Sequence, residues 1–161
     1  MTETIHDLRL IDEPTILALN NAHAKETSEL DAGSLGALLA MAFYARGVEG
    51  GGTALLIALD QGAAYESPNF LWFKTCRESF VYIDRIVVAS GARGRGIARL
   101  LYEDLIATAR QAGYETLVCE VNIEPPNPTS ELFHAAMGFV GIGEASVYDG
   151  TKVVRYFEKM L

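Results

Sequence analysis

The chain has 161 residues, is 50% hydrophobic and 21% charged, and carries a formal net charge of −8. That length suits one domain, 1–161, with room for a substantial core. The acidity makes nucleic acid a poor partner, and no run of about 18 apolar residues is present to span a membrane. The opening MTETIHDLRL lacks the apolar core of a signal peptide, and Cys76 and Cys119 are too few for a disulfide framework, so a reduced, cytoplasmic setting is expected.

Ile5 to Leu10 reads as a short strand. Glu13-Pro14 opens a helix with Ile16, Leu17, Leu19 and Ala24 as its buried side. After an acidic, polar linker over 28–33, Ser34 is a cap for a second helix running to about Phe43, with Leu35, Leu38, Leu39 and Ala42 at helical spacing. Tyr44 to Val48 and Thr53 to Leu59 read as strands joined by Gly50-Gly51-Gly52, an antiparallel hairpin. Residues 60–79 show no regular pattern, yet the stretch is long for a structureless connection. Its aromatic run, Asn69 to Phe73, is either a cluster that buries the loop's own apolar side chains or a lid over a pocket.

Val81 to Ala89 is an apolar strand that stops at Ser90-Gly91. An arginine-glycine turn follows and runs into a helix with Ile97, Leu100, Leu101, Leu105 and Ala112 on one face. Thr116 to Asn122 is the next strand. Residues 124–128 hold three prolines and exclude regular structure. Thr129 or Ser130 caps a short helix that ends at Gly138, and Val140 to Tyr148 and Thr151 to Lys159 flank an Asp149-Gly150 hairpin turn. The order β-α-α-β-β-β-α-β-α-β-β describes a mixed α/β layer fold.

A strand, a glycine-rich turn and a helix N-terminus in succession make an anion site. First-turn N–H groups lack intrahelical partners, and the helix dipole adds partial positive charge. Gly94 and Gly96 let a phosphate approach the backbone, and Arg93, Arg95 and Arg99 place three cations around the turn. A pyrophosphate is the simplest ligand. A Walker loop would need Lys-Ser/Thr where Ile97-Ala98 stand. A dinucleotide fingerprint would need a small residue where Arg99 stands, although Glu115 could serve as its acid.

Arg93-Gly94-Arg95-Gly96-Ile97-Ala98 resembles the coenzyme-A loop, Gln/Arg-x-x-Gly-x-Gly/Ala, of the GNAT superfamily of N-acetyltransferases. A second stretch, Asn127 to Phe139, is similar to that superfamily's Asn-x-x-Ala-x-x-Leu-Tyr-x-x-x-Gly-Phe signature. Asn127, Gly138 and Phe139 match, while Ser130, Phe133 and His134 replace Ala, Leu and Tyr. The resemblance implies a central, mixed, mostly antiparallel sheet of six or seven strands flanked by about four helices. It also implies acetyl transfer from acetyl-CoA to a primary amine of a small molecule or protein, by direct attack through a tetrahedral intermediate and without a metal. The alternative is an acyl-CoA-binding module of the same fold without turnover.

Such a transfer needs a coenzyme anchor, a free amine, an oxyanion donor and a proton for the leaving thiolate. The resemblance assigns the anchor to Arg93, Gly94, Arg95, Gly96, Ala98 and Arg99. Ile86, Val87 and Val88 then flank the pantetheine arm, and Asn127 contributes from the second signature. An alkyl ammonium near pKa ~10 must lose a proton before it attacks. Strict alternation places Tyr82, Asp84, Ile86 and Val88 on one strand face. Asp84 is accordingly a candidate base or ammonium anchor, or else a partner for Arg85 or Arg155, and Glu120 is the second candidate base. A strand N–H near Val87 or Val88 is the implied oxyanion donor. His134, standing where the family's acid Tyr would be, is the candidate acid, with Tyr148 in reserve. His6 and His23 share no metal-ligand spacing with His134. Residues 1–70 hold ten acids and three bases, which either attracts a cationic amine or simply solvates the surface. A homodimer is common in the resembled family.

Overall fold

The computed structural model describes residues 3–25, 27–48 and 53–161. A seven-stranded sheet has the order β1-β2-β3-β4-β5-β7-β6. Its strands are β1 (Ile5–Asp7), β2 (Tyr44–Val48), β3 (Ala54–Asp60), β4 (Val81–Val88), β5 (Thr116–Glu124), β6 (Val140–Val147) and β7 (Lys152–Met160). Every neighbouring pair is antiparallel except β4 and β5. Five α-helices flank it: α1 (Glu13–Asn21), α2 (Ala32–Met41), α3 (Pro68–Cys76), α4 (Ile97–Gln111) and α5 (Pro128–Ala136). Buried side chains of α1, α2 and α3 pack on one face of the sheet, those of α4 on the other, where Phe133 and Met137 of the α5 region join them. A mixed, mostly antiparallel sheet is thus present as expected.

Several local readings change. β1 stops at Asp7, whose carboxylate accepts the Arg9 N–H and turns Leu8–Leu10 into a single 3-10 turn. Asp31, not Ser34, caps α2: its Oδ1 accepts the Ser34 N–H at 2.8 Å while Ser34 Oγ accepts the Asp31 N–H at 3.0 Å, a reciprocal capping box. Asn127 rather than Thr129 or Ser130 caps α5, with Pro128 at the first helical position. The Gly50-Gly51-Gly52 turn lies outside the described residues, although β2 and β3 pair as the expected hairpin. The strands stop one residue short of the expected turn on each side: Tyr148, Asp149 and Gly150 all have positive φ, 54°, 55° and 81°, and Thr151 N–H donates to the Tyr148 carbonyl.

The largest addition is α3, inside the stretch that shows no pattern in sequence. Its Phe70 and Phe73 are fully buried, and Trp72 stacks on Tyr156 with ring centroids 4.0 Å apart. The aromatic run is therefore a helix seated on the sheet rather than an irregular loop.

Two features of β4 open a cleft in the sheet. Ile57 pairs with Arg85 and Ala58 with Ile83, so Asp84 is an extra, bulged residue. Strict alternation fails there. Tyr82 and Val87 pack toward α1–α3, whereas Ile83, Ile86 and Val88 pack toward α4. In addition, β4 pairs with β5 only at Val81–Leu117 and Tyr82–Val118, while each strand stays paired on its other edge. The two parallel strands consequently part into a wedge that opens toward the glycine turn.

Candidate active site

The turn after β4 builds the wide end of the wedge. Gly94 and Gly96 have φ of 78° and 76°, a region that side-chain-bearing residues rarely occupy. Gly96 is the N-terminal boundary of α4, and among the described residues no side chain caps that end. First-turn amides are left for a ligand. A Cβ built at Gly94 or Gly96 would meet no atom within 4 Å, so the space before the turn is open. These features fit a diphosphate.

A groove of about 510 Å³ leads from this turn along β4. Ile86, Val87, Val88, Arg93, Gly94, Gly96, Ala98, Arg99 and Asn127 all line it, nine of the ten residues expected to hold a coenzyme. Arg95 is the exception, because its guanidinium turns away to an ion pair with Glu3. Arg99 keeps a loose partner in Glu103 at 3.9 Å. Residues of α5 (Thr129, Ser130, Phe133, His134) form one wall. His23 and Thr27, between α1 and α2, also line the groove, a contribution that nothing in their sequence context announces.

His134 lines the groove yet is 3% exposed. Nδ1 lies 2.8 Å from the Ser130 carbonyl, which can only accept, so the proton sits on Nδ1. Nε2 then accepts the Tyr102 hydroxyl, also at 2.8 Å. Burial pushes the His134 pKa down, with the Ser130 bond opposing, which keeps the ring neutral. Tyr102 is buried on the apolar side of α4 and looks in sequence like another core aromatic.

The narrow end of the wedge holds two carboxylates, each two residues beyond the last β4–β5 pair. Asp84 is fully engaged: Arg85 Nε donates to Oδ2 at 2.7 Å and the Tyr65 hydroxyl to Oδ1 at 2.6 Å. Arg85, not Arg155, is thus its partner. The same guanidinium reaches Asn20 Oδ1 at 2.9 Å and Ser28 Oγ at 3.2 Å, tying the α1–α2 connection to the bulge. Arg155 pairs instead with Glu131 and Glu144.

Glu120 differs. Its Oε1 accepts the Tyr82 hydroxyl at 2.9 Å and Asn69 Nδ2 at 3.1 Å, while Oε2 is buried with no hydrogen-bond partner among the described residues. Burial raises its pKa to about 8, the Tyr82 bond opposing and the Asp84 charge adding to the rise. Tyr148, the reserve acid, is 51% exposed and is not among the groove-lining residues. Among the described residues no group of three or more His, Cys, Asp or Glu side chains is placed to hold a metal, and no helix is long and apolar enough to cross a membrane.

Known proteins share this architecture. The ribosomal-protein-alanine N-acetyltransferase of Brucella melitensis superposes with a TM-score of 0.71 at 21% identity, covering 100% of both chains. Ard1 from Thermoplasma volcanium gives 0.75 at 13% identity, over 100% of this chain and 99% of its own. YncA of Salmonella typhimurium, solved with its cofactor acetyl-CoA, gives 0.67 at 18% identity, over 100% and 95%. At such identities the likeness establishes the fold alone. No curated protein sequence matches the chain significantly. The sequence model of the acetyltransferase (GNAT) family, however, matches residues 49–139, more than half the chain and the whole segment from β3 through the glycine turn to Phe139. With the parted strands and the uncapped helix start in place, the chain belongs to the GNAT family of acetyltransferases.

Proposed function

We propose that the protein transfers an acetyl group from acetyl-CoA to a primary amine. The observation that carries this reading is the wedge between β4 and β5, which has an open anion-binding turn at one end and a carboxylate oxygen without a partner at the other. Bound there, acetyl-CoA would supply the acetyl thioester.

The turn amides with Arg93 and Arg99 hold the diphosphate, charge-assisted bonds being the strong ones. Ile86, Val87 and Val88 flank the arm, with Asn127 and Ala98 opposite. Beyond Tyr82 the β4 edge facing the wedge has no partner strand among the described residues, which leaves backbone N–H groups there to orient an acyl oxygen.

Glu120 is the better-placed base. Asp84 is neutralised by Arg85 and has both oxygens engaged, whereas Glu120 Oε2, buried beyond the groove lining, has no partner among the described residues and so keeps its lone pairs for a proton. A base poised near neutrality is matched to that task. Asp84 holds Arg85, and through it the α1–α2 wall. His134 takes the acid role by its place in the second signature. With both nitrogens engaged, it donates only after gaining a second proton or turning from Tyr102.

Thiol release from acetyl-CoA, measured with an amino-terminal alanine peptide, a lysine peptide and an alkyl diamine, tests the reading. Release above the hydrolysis background with at least one of them is expected. Tight acetyl-CoA binding with no release for any amine would favour a binding module instead.

A further inference from the structure

We infer that Asn69, at the first turn of α3, is a positioning residue: it grips one oxygen of Glu120 and so leaves the other directed at the acceptor amine. The inference rests on Glu120 being the group that receives the amine's proton.

The geometry fixes each step. The ionised Glu120 carboxylate can only accept, which settles that the amide turns Nδ2 toward it, and on the other side the Tyr156 hydroxyl donates to Asn69 Oδ1 at 2.9 Å. Nδ2 is then the end that faces Glu120 and donates to Oε1 at 3.1 Å. Tyr82 donates to the same oxygen at 2.9 Å. Two donors on Oε1 and, among the described residues, none on Oε2 make an asymmetric hold. It fixes the carboxylate plane and keeps one set of lone pairs free. A carboxylate bonded through both oxygens, as Asp84 is, would be inert by comparison.

Asn69 is 5% exposed, and its neighbour Phe70 and its partner Tyr156 both belong to the buried cluster under α3. An apolar residue would fill such a place at no polar cost, because a buried amide is tolerated only when bonded. α3 reaches this position by seating twice on Tyr156, through the Trp72 stack and through the Asn69 bond. The helix thereby delivers a side chain to the acceptor end of the wedge.

The groups around Glu120 come from five elements. Asn69 comes from α3, Tyr82 and Asp84 from β4, Tyr156 from β7, Tyr102 from α4 and Cys119 from its own strand. Asp84 carries the second negative charge there, offset by Arg85. A hydrogen bond from Asn69 favours the ionised carboxylate, and its loss favours the protonated one.

The test is the pH profile of kcat/KM with an alkyl diamine, paired with a 13C NMR titration of the Glu120 carboxyl, which separates that group from the amine's own titration. Asn69→Ala should move the acid limb and the carboxyl titration upward by about one pH unit, lowering kcat/KM roughly tenfold at pH 7. Acetyl-CoA affinity should be retained. Tyr156→Phe, which releases the amide but spares the ring stack, should move both the same way by less, and it supplies the readout if Asn69→Ala fails to fold. In a Glu120→Gln background, Asn69→Ala should add nothing. A limb that stays in place while turnover falls at every pH would make Asn69 merely structural and overturn the inference. If Glu120→Gln itself leaves the limb intact, the base assignment fails and the inference falls with it. If Glu120→Gln removes the limb while the Asn69 and Tyr156 variants leave it unmoved, the inference alone fails.

Discussion

Glu120 is costly to the fold in a way that pH exposes. The folded protein keeps its proton up to about pH 8, whereas the unfolded chain gives it up near 4.5. Between those values the native state binds more protons, so stability falls as pH rises through the window. Below it both states are protonated and nothing is lost; above it the full penalty is present. Glu120→Gln should therefore melt progressively higher than the wild type as pH is raised from 5 to 8, and match it near pH 4. Parallel melting curves across that range would show the carboxyl to be ordinary. The prediction concerns folding alone and holds whichever residue serves as base. His134 pulls the other way: burial keeps it neutral, so acid below its ordinary value near 6.5 favours the unfolded chain. Neither residue's surroundings are readable in sequence, because the partners Asn69, Tyr82 and Tyr102 lie 51, 38 and 32 residues away from the groups they contact.

Among the elements, α4 is the most legible and α3 the least, for one physical reason. The buried residues of α4 recur at helical spacing: Ile97, Leu101, Leu105, with Tyr102, Ile106 and Ala109 beside them. In α3 four apolar residues, Phe70 to Phe73, stand in succession, so no stripe emerges even though Phe70 and Phe73 are buried and Leu71 is exposed. The remaining hint is Ser67-Pro68, a cap residue before a first-turn proline. Trp72 is the single tryptophan, which makes the docking of α3 directly observable. A Cβ at Gly143 would come within 3.0 Å of the Trp72 ring, so Gly143→Val should displace the indole from Tyr156. A red-shifted, altered emission and a loss of about 1–3 kcal/mol in denaturant unfolding are expected. Unchanged fluorescence would mean that the ring and β6 are not in contact. In the glycine turn, by contrast, consecutive positions stand out in sequence, and all of 93–99 except Arg95 line the groove. Only Arg95 departs from that reading, captured by Glu3.

For the whole molecule, binding at the turn should be visible as stabilisation, because a ligand that engages only the folded state raises the melting temperature. At a hundredfold excess over Kd, acetyl-CoA should contribute about 2.7 kcal/mol, on the order of 5–10 °C for a chain of this size. NAD should give no such shift. In Gly94→Glu, a carboxylate replaces open space at a residue with φ of 78°, and the shift should vanish. A retained shift would mean that the ligand rests elsewhere. The overall layering is accessible from element order alone, whereas the parting of β4 and β5 is not, because pairing that stops after two residues leaves no mark on either strand's composition.

The inserted residue at Asp84 has one more implication, for how this strand tolerates length changes. Val81 to Ile83 and Arg85 to Val88 obey opposite parities, each correct for its own half. Removing the aspartate would restore a regular ribbon in which Ile83 and Ile86 still face α4 and Arg85 and Val87 still face α1 and α2, so both layers would keep their side chains and only the bulge and its carboxylate would go. A shorter ribbon would therefore fold on the same two faces yet lose what the bulge does for the cleft, so a chain lacking Asp84 should keep its melting behaviour far better than its activity.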